Sequence, residues 1–192
     1  MILADGVLGQ MLEPIEMGGG RRKTGVKELP PKDWVLDGCR DRKPRFIRSL
    51  LMGEGQLEEH NWKLERKYEA MRQEIRYETR FIDDAEFLLV AFGIASRVCL
   101  SAAAQARKRG LKVGIFRPVT LWPFPYNALS SLCSKIKSLL VVELNLGQMV
   151  EDVKLAVEGR RPVYLHARPG GGLPSSEEVV DRIQKIDKEK KG

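Results

Sequence analysis

Cysteine and histidine are scarce in this chain of 192 residues, which contains three cysteines and two histidines. The cysteines, Cys39, Cys99 and Cys133, lie far apart in the sequence. A disulfide framework, a zinc site or an iron–sulfur site needs ligands that are paired or clustered, so the sequence predicts none of these. His60 and His166 have no histidine, cysteine or carboxylate partner at metal-ligand spacing, and we interpret both as structural residues.

Long apolar runs are also absent from the sequence. No stretch approaches the roughly 20 residues that a membrane-spanning helix needs, and no charged-then-apolar leader precedes a small-residue cleavage site. Hydrophobic residues nevertheless make up 43% of the chain, which is an ordinary share for a globular protein with a real core. We therefore expect a soluble, cytoplasmic protein of one sizeable domain plus an appendage, without a membrane partner.

Aromatic side chains, at 7% of the residues, do not alternate with the basic runs that give the chain its net charge of +7. A single-stranded nucleic acid would need such aromatic platforms for base stacking. Basic composition alone indicates only non-specific attraction, so we predict a surface that is solvated or faces a protein partner, and no nucleic acid. The basic runs are Arg21 to Lys23, the stretch from Arg40 to Arg48, and the tail at Lys188, Lys190 and Lys191.

The composition divides the sequence into three parts. The first part begins with an apolar run over residues 2–4, typical of a strand, followed by a turn at Asp5. The second part is a connector rich in proline, glycine and charge, and its last stretch, 57–74, has the spacing of a charged helix. The third part carries the main domain. The three parts are residues 1–20, 21–74 and 75–192.

From residue 75 onward, short apolar runs alternate with helical patterns. The run 87–92 is continuously apolar, as expected for a strand that is buried on both faces. Strands that alternate with helices of this length indicate a mixed, mainly parallel sheet with helices on both faces, a three-layer α/β/α fold. The predicted strands are 75–82 at an edge, then 87–92, 111–116, 139–142 and 163–166. The predicted helices are 94–109, a short one ending near residue 135, 147–157, and a last one that Ser175 and Glu178 begin with a capping box.

A parallel sheet binds ligands just beyond the carboxyl ends of its strands. In this chain those ends carry Gly93, Arg117, Glu143 and Arg168. Glu143 is the one carboxylate whose position alone suggests catalysis, but a pairing with Arg117 or Arg168 accounts for it as well. We favour the pairing.

Two glycine-rich stretches are weaker candidates for anion binding. The segment from Arg168 to Gly172 places an arginine and backbone amides before the last helix, which suits an anion, but a tight turn explains the same glycines and is favoured. The segment GGGRRKTG resembles a phosphate loop, but Lys23 follows an arginine instead of a glycine, so we interpret it as a linker. The residues alone therefore predict an α/β domain without a complete catalytic constellation.

Several segments together resemble the alpha subunit of the 2-oxoacid:ferredoxin oxidoreductases, and they cover nearly the whole chain. The motifs LWPFP and ELNLGQMVEDV carry most of this resemblance. The branched-chain (2-oxoisovalerate) type is favoured by GQMVEDVKLAVEGRRPVY and RPGGG. The resembling segments are 2–14, 33–50, 57–69, 113–125, 139–164 and 168–179.

The resemblance implies a specific fold and a specific enzyme. The fold is that of a transketolase C-terminal-type domain, with strand order 1-3-2-4-5 and an antiparallel first strand. The enzyme holds thiamine diphosphate and Mg²⁺ between alpha and beta subunits, and it passes electrons through iron–sulfur clusters to ferredoxin and the acyl group to coenzyme A. Residues 1–20 resemble the end of the thiamine-pyrimidine domain, most of which has no counterpart here. No catalytic or cofactor-binding residue is therefore carried over, and we expect this chain alone to bind no cofactor and to serve subunit assembly.

Three alternatives stay open at this point. The 2-oxoglutarate type of the same family is one, because substrate pockets in this family lie largely outside these segments. A self-sufficient module that binds an anion at the carboxyl edge of the sheet is another. The third is a purely structural assembly domain, and the resemblance leaves a homodimer open in addition to the other subunits.

Overall fold

The computed structural model describes residues 1–14, 31–32 and 34–189. The chain forms two compact units, Met1–Met11 with Glu69–Gly192 and Leu12–Tyr68. The α-helices are α1 (Gly6–Gln10), α2 (Gln56–Met71), α3 (Gly93–Lys108), α4 (Tyr126–Leu132), α5 (Met149–Val157) and α6 (Ser176–Glu189), and a short 3₁₀ helix spans Arg72–Glu74. The strands are β1 (Tyr77–Arg80), β2 (Phe87–Val90), β3 (Val113–Pro118), β4 (Ser138–Glu143) and β5 (Val163–Ala167).

Five strands form one mixed sheet in the order β1-β3-β2-β4-β5. Strand β2 pairs in parallel with both β3 and β4, and β4 pairs in parallel with β5. Strand β1 runs antiparallel to β3 at the edge. The predicted strand order and the antiparallel edge strand are confirmed, although β1 is shorter than the predicted 75–82.

The sheet separates two hydrophobic cores. Leu89 and Val113 point to one face, where they pack against buried residues of α3 and α6. Leu88 and Val141 point to the other face, where they pack against α4 and α5. Because neighbouring residues of a strand alternate between faces, a continuous apolar run fills both cores. The predicted three-layer α/β/α arrangement is confirmed, and we call the two sides the α3/α6 face and the α4/α5 face.

Small side chains allow α3 to lie close to the sheet. Ala102, Ala103 and Ala106 are fully buried in the core of the α3/α6 face. After the helix, Gly110 adopts a φ of +83°, a left-handed conformation that glycine adopts without steric strain. The predicted helix 94–109 and its glycine terminator agree with this structure.

The last helix begins with the predicted capping box. The Ser175 N–H donates to Oε2 of Glu178 at 2.7 Å, and the Glu178 N–H donates to Oγ of Ser175 at 3.1 Å. These two bonds satisfy amides that otherwise have no partner in the first turn of a helix. The helix then buries an apolar stripe of Val179, Val180, Ile183 and Ile186.

The predicted strand over residues 2–4 is wrong. A strand needs a neighbouring strand for its backbone hydrogen bonds, and residues 2–4 pair with no strand in the described part of the chain. The side chain of Asp5 instead binds the start of α3, and the chain continues from there as the helix α1.

In the described part of the connector, the long regular element is α2. The helix predicted over 57–74 is confirmed as α2 and the following 3₁₀ helix, and no residue of α2 is buried. The described residues from 31 to 55 contain neither helix nor strand. The linker interpretation of Gly18 to Gly25 and the basic residues Lys190 and Lys191 fall outside the described residues. None of the helices in the described part of the chain is long and apolar enough to cross a membrane.

Candidate functional site at the carboxyl edge of the sheet

The strand order reverses between β2 and β4. The chain leaves β2 for β3 on one side and later returns to β4 on the other side. The helices that follow these two strands, α3 and α5, pack on opposite faces of the sheet. A crevice therefore opens beyond the carboxyl ends of β2 and β4, which is the usual ligand position in an open α/β sheet.

A small cavity of about 160 Å³ lies in this crevice, and we call it the edge cavity. One side of it is apolar and aromatic, and the other presents carboxylate and amide groups. The lining residues are Phe92, Leu121, Phe124, Glu143, Asn145, Gln148, Met149 and Asp152.

Glu143 is the buried acid of the edge cavity. It ends β4 and is 1% exposed. One carboxylate oxygen accepts hydrogen bonds from the N–H groups of Gln148 at 3.2 Å and Met149 at 2.9 Å, and the other accepts from the N–H of Val150 at 2.9 Å. The carboxylate thus satisfies the amides at the start of α5, where the helix dipole favours negative charge.

The predicted pairing of Glu143 with Arg117 or Arg168 is wrong, because the side chains lie on different faces. Glu143 points to the α4/α5 face, whereas Arg117 borders Ile115 on the α3/α6 face and donates to Glu78 at 3.2 Å. Arg168 meets Glu143 only through the backbone, since its N–H donates to the Glu143 carbonyl at 2.9 Å.

Asn145 completes the loop between Glu143 and α5. Its side-chain oxygen accepts from the N–H of Gly147 at 2.7 Å and from the N–H of Gln148 at 3.1 Å. Side-chain oxygens of the protein therefore already occupy the amides that would attract an anionic ligand to this helix end. Glu143 and Asn145 act as structural groups that hold the loop.

A tyrosine and an aspartate bridge α4 and α5 beside the edge cavity. The hydroxyl of Tyr126 donates to the carboxylate of Asp152. This hydrogen bond is the main reason that the pKa of Tyr126 is raised to about 12, and partial burial adds to it. The tyrosine therefore stays protonated at neutral pH and acts as a donor. The sequence pattern did not predict this pair, because the two residues are 26 positions apart.

Asp5 is a second residue that the sequence pattern missed. Its Oδ2 accepts a hydrogen bond from the N–H of Ile94 at 2.6 Å, at the start of α3. Gly93 makes this approach feasible, because a Cβ on Gly93 would lie 2.1 Å from Oδ2 of Asp5. Gly93 also has a φ of +57°. The only signal in the sequence is a glycine directly after a core strand, which can indicate a close backbone approach.

The segment from Arg168 to Gly172 forms a turn. Nη1 of Arg168 donates to Oε1 of Glu178 at 3.1 Å, so the charge expected to attract an anion is already paired. Gly170 and Gly171 have φ values of +82° and +84°, the left-handed conformation that a tight turn requires. The structure supports the turn interpretation over the anion site.

His166 is partly buried on β5, and its Nε2 has no hydrogen-bond partner among the described residues. Burial lowers the pKa of His166, and the charges of Arg182 and Arg168 act in the same direction while Glu178 opposes them. The unfolded chain therefore binds this proton more readily than the folded chain below a pH of about 6.5. Stability contributed by neutral His166 is present above this pH and is lost as the pH falls.

We expect the free energy of unfolding of the wild type to decrease between about pH 7.5 and pH 5.5, and to decrease less in His166→Gln. Urea unfolding at the two pH values measures this difference. His60→Gln, at an exposed position of α2, is the matched control and should keep the pH dependence of the wild type. Equal pH dependence of the free energy of unfolding in wild type and His166→Gln would show that His166 does not cause the decrease.

Cysteines and metal-binding groups do not converge in the described residues. Cys99 lies in the core of the α3/α6 face and Cys133 in the core of the α4/α5 face, so the sheet separates them. Burial raises the pKa of Cys99 to about 12. Within the described residues, no group of three or more histidine, cysteine, aspartate or glutamate side chains is arranged to hold a metal ion.

Comparison with known proteins agrees with this architecture. Residues 85–179 match the family described as pyruvate:ferredoxin oxidoreductase core domain II. Ketoisovalerate oxidoreductase subunit VorB of Methanothermobacter marburgensis is 40% identical over 187 residues, which are 97% of this chain and 52% of that relative. The 2-oxoglutarate synthase subunit KorA of the same organism is 34% identical over 101 residues, which are 53% of this chain and 27% of that relative. The chain thus spans about half the length of the VorB relatives it matches.

A solved structure supports the fold. The 2-oxoglutarate:ferredoxin oxidoreductase from Magnetococcus marinus, with 2-oxoglutarate, coenzyme A and succinyl-CoA bound, superposes with a TM-score of 0.63. The superposition covers 79% of this chain and 28% of that chain at 19% identity, so it is evidence for the fold alone.

The sheet and its helices form a mixed, mainly parallel α/β domain with the fold of the solved 2-oxoglutarate:ferredoxin oxidoreductase, and the family match falls within this domain. The chain belongs to the 2-oxoacid:ferredoxin oxidoreductase family, and within it resembles the ketoisovalerate subunit over almost its whole length.

Proposed function

We propose that this chain is part of the alpha subunit of a thiamine-diphosphate-dependent 2-oxoacid:ferredoxin oxidoreductase. The enzyme would oxidatively decarboxylate a branched-chain 2-oxoacid to the acyl-CoA and reduce ferredoxin through iron–sulfur clusters on other chains. The observation that carries the proposal is the 40% identity to a ketoisovalerate oxidoreductase subunit over 97% of this chain. The relatives are named as subunits, which supports a requirement for a beta subunit and others.

The branched-chain substrate is favoured over 2-oxoglutarate by the identity and the extent of the match. The VorB relatives match over 97% of this chain, whereas the KorA relative of Methanothermobacter marburgensis matches over 53%. A KorA relative of Archaeoglobus fulgidus matches over 80% of this chain but is only 28% identical, so the branched-chain type is favoured by identity and extent together. The alternative is the 2-oxoglutarate type, and a comparison of reaction rates with the two substrates would distinguish it from the branched-chain type.

The residues at the carboxyl edge of the sheet do not fit thiamine diphosphate or its Mg²⁺. The edge cavity, at about 160 Å³, is smaller than the roughly 300–1,000 Å³ typical of small-molecule sites. No group of three possible metal ligands occurs among the described residues. The acid in the edge cavity, Glu143, is fully used by three backbone amides. We therefore assign no step of the cofactor chemistry to these residues, and the proposed role of this chain is assembly.

The proposed assembly role rests on a rigid α/β domain to which an N-terminal segment is attached. Asp5 fixes residues 1–11 to the start of α3 beside the carboxyl edge of the sheet. By resemblance, residues 1–20 are the end of a thiamine-pyrimidine domain, 21–74 the connector and 75–192 the assembly domain. In this arrangement the α/β domain positions the neighbouring half of the subunit and contacts the beta subunit.

We expect the purified chain alone to show no 2-oxoacid-dependent reduction of ferredoxin and no micromolar binding of thiamine diphosphate. The physical reason is the small edge cavity and the lack of clustered ligands among the described residues. Isothermal titration calorimetry with thiamine diphosphate and Mg²⁺ measures the binding. Micromolar affinity in the absence of partners would contradict the assembly role.

The complementary experiment combines this chain with the beta and other subunits and with the remaining half of the alpha subunit. Ferredoxin reduction should then depend on this chain and be faster with 3-methyl-2-oxobutanoate than with 2-oxoglutarate or pyruvate. Faster reduction with 2-oxoglutarate would reverse the substrate assignment while keeping the family role. Activity that is unchanged when this chain is omitted would refute the assembly role.

A further inference from the structure

A second cavity lies at the amino edge of the sheet, opposite the edge cavity. Its volume is about 560 Å³, and we call it the amino-edge cavity. It lies where the chain passes from α4 into β4 and from α5 into β5, before the first residues of these strands. It is therefore separate from the edge cavity, which lies beyond the last residues of β2 and β4. The lining residues are Asn127, Ser130, Ser131, Cys133, Ser134, Arg160 and Arg161.

We propose that the amino-edge cavity binds the phosphate group of a small phosphorylated molecule, with the guanidinium groups of Arg160 and Arg161 and the hydroxyl of Ser130 as its donors. The hydroxyls of Ser131 and Ser134 donate instead to the backbone carbonyls of Ala128 and Ser131. The function proposed above does not use this cavity. The composition of the wall suits phosphate, since two guanidinium groups and three serines line it without a carboxylate.

The guanidinium group of Arg160 is fixed before any ligand arrives. Its Nε donates to the Val157 carbonyl at 3.0 Å, its Nη1 to the Ser130 carbonyl at 3.4 Å, and its Nη2 to the Ala156 carbonyl at 2.9 Å and to Oγ of Ser130 at 2.6 Å. These bonds hold the side chain across the ends of α4 and α5. One N–H of Nη1 remains for a ligand. A donor group that is already ordered loses little conformational entropy on binding.

Arg161 is fixed by two bonds and keeps donors for a ligand. Its Nε donates to the Cys133 carbonyl at 2.8 Å and its Nη2 to the Ser134 carbonyl at 3.4 Å. No residue in the described part of the chain accepts a hydrogen bond from its Nη1. Because a guanidinium carries donors on both Nη atoms, this geometry leaves one edge of Arg161 for the oxygens of a phosphate.

The charges around the cavity favour an anion. Glu158 is the nearest acid to Arg160, and its Oε2 lies 3.9 Å from Nη2, a long contact on the exposed side. Burial raises the pKa of the Cys133 thiol, and the charges of Arg160 and Arg161 act against this rise while Glu158 adds to it.

Phosphate is favoured over a single carboxylate because the donors come from several directions. The guanidinium groups line the cavity from the loop before β5, and the hydroxyl of Ser130 lines it from α4. A tetrahedral phosphate can accept from both sides, whereas a planar carboxylate meets one guanidinium edge. The volume exceeds that of a phosphate ion, so we infer that the phosphate is attached to an organic group.

Calorimetric titration of the full chain with inorganic phosphate, pyrophosphate and AMP, at constant ionic strength, tests the proposal. We expect saturable binding with a Kd on the order of 1 mM for at least AMP or pyrophosphate, weaker than the micromolar binding that the proposed function excludes for thiamine diphosphate. Tighter binding of AMP than of inorganic phosphate would identify a phosphorylated organic ligand, and the reverse would identify free phosphate. Saturation by none of the three up to about 10 mM would overturn the proposal.

Matched variants locate the site. Arg161→Gln should weaken binding by about tenfold or more, and Arg161→Lys by about fivefold, because lysine keeps the charge but not the paired donors. Arg109→Gln removes the same charge from an exposed arginine near Asp181 and should leave the Kd within about twofold. Equal weakening by Arg161→Gln and Arg109→Gln would show that the ligand is attracted by the net charge of the protein and not bound at the amino-edge cavity.

An NMR titration of the unaltered chain does not depend on how the variants fold. Phosphate should shift the backbone amide signals of residues 130–134 and 158–161 more than those of the carboxyl edge. Shifts confined to other regions would refute the site even if binding is measurable.

Discussion

Replacing Glu143 with leucine is expected to lower the free energy of unfolding by about 3–5 kcal/mol. The side chain is buried and its two oxygens accept three hydrogen bonds from the backbone at the start of α5. Leucine fills a similar volume but leaves these amides without partners in a protein interior. Urea unfolding followed by circular dichroism measures the change.

Two variants separate the hydrogen bonds of Glu143 from its volume and charge. Glu143→Gln keeps an acceptor oxygen and should lose less stability than Glu143→Leu, on the order of 1–3 kcal/mol. Glu151→Gln is the control on the exposed side of α5, where the carboxylate pairs with Lys154, and should cost less than about 0.5 kcal/mol. A leucine variant as stable as this control would show that the amides find other partners.

Gly93→Ala is expected to lower the free energy of unfolding by about 2–3 kcal/mol. One part of this loss comes from the positive φ of +57° at Gly93, which an alanine adopts with strain. The other part comes from Asp5, because the new Cβ would meet its Oδ2 at 2.1 Å and break the bond to the N–H of Ile94. Thermal and urea unfolding measure the total loss in the free energy of unfolding from both causes.

Gly110→Ala provides the matched control for the backbone term. Gly110 also has a positive φ, +83°, but a Cβ there would meet no atom within 4 Å. Its cost should be about 1 kcal/mol, the backbone term alone. In an Asp5→Ala background the cost of Gly93→Ala should fall to a similar value, because the collision partner is gone. Equal costs of Gly93→Ala in both backgrounds would refute the contact.

The sheet could be predicted from the sequence because its signals are local. The apolar run of β2 is short, and every residue of it is buried. The glycine after α3 and the capping box of α6 mark helix ends through contacts within a few residues. The alternation over 75–82 predicted an edge strand, whereas its antiparallel pairing with β3 came from the resemblance to a family, because alternation does not specify a partner.

The contacts at the carboxyl edge could not be predicted because they depend on which face a side chain occupies. Glu143 was correctly recognised as unusual, but its partner was sought among arginines instead of backbone amides. Arg117 lies on β3, two strands away from β4, and its side chain is on the opposite face of the sheet, while Arg168, just after the neighbouring β5, pairs with Glu178. The bond between Asp5 and Ile94 spans 89 positions, and no pattern of charge or spacing announces it.

The native cysteines differ in exposure, so their rates of chemical labelling report on different parts of the chain. Cys39 lies in the connector and is partly exposed, so a thiol-reactive dye should label it in the native protein. Cys99 is buried on one side of the sheet with a pKa of about 12, so almost none of it is the reactive thiolate at neutral pH. Its labelling rate therefore measures how often the α3/α6 core opens. Labelling of the native chain, without any engineered residue, therefore measures separately the accessibility of the connector and the local opening of the main domain.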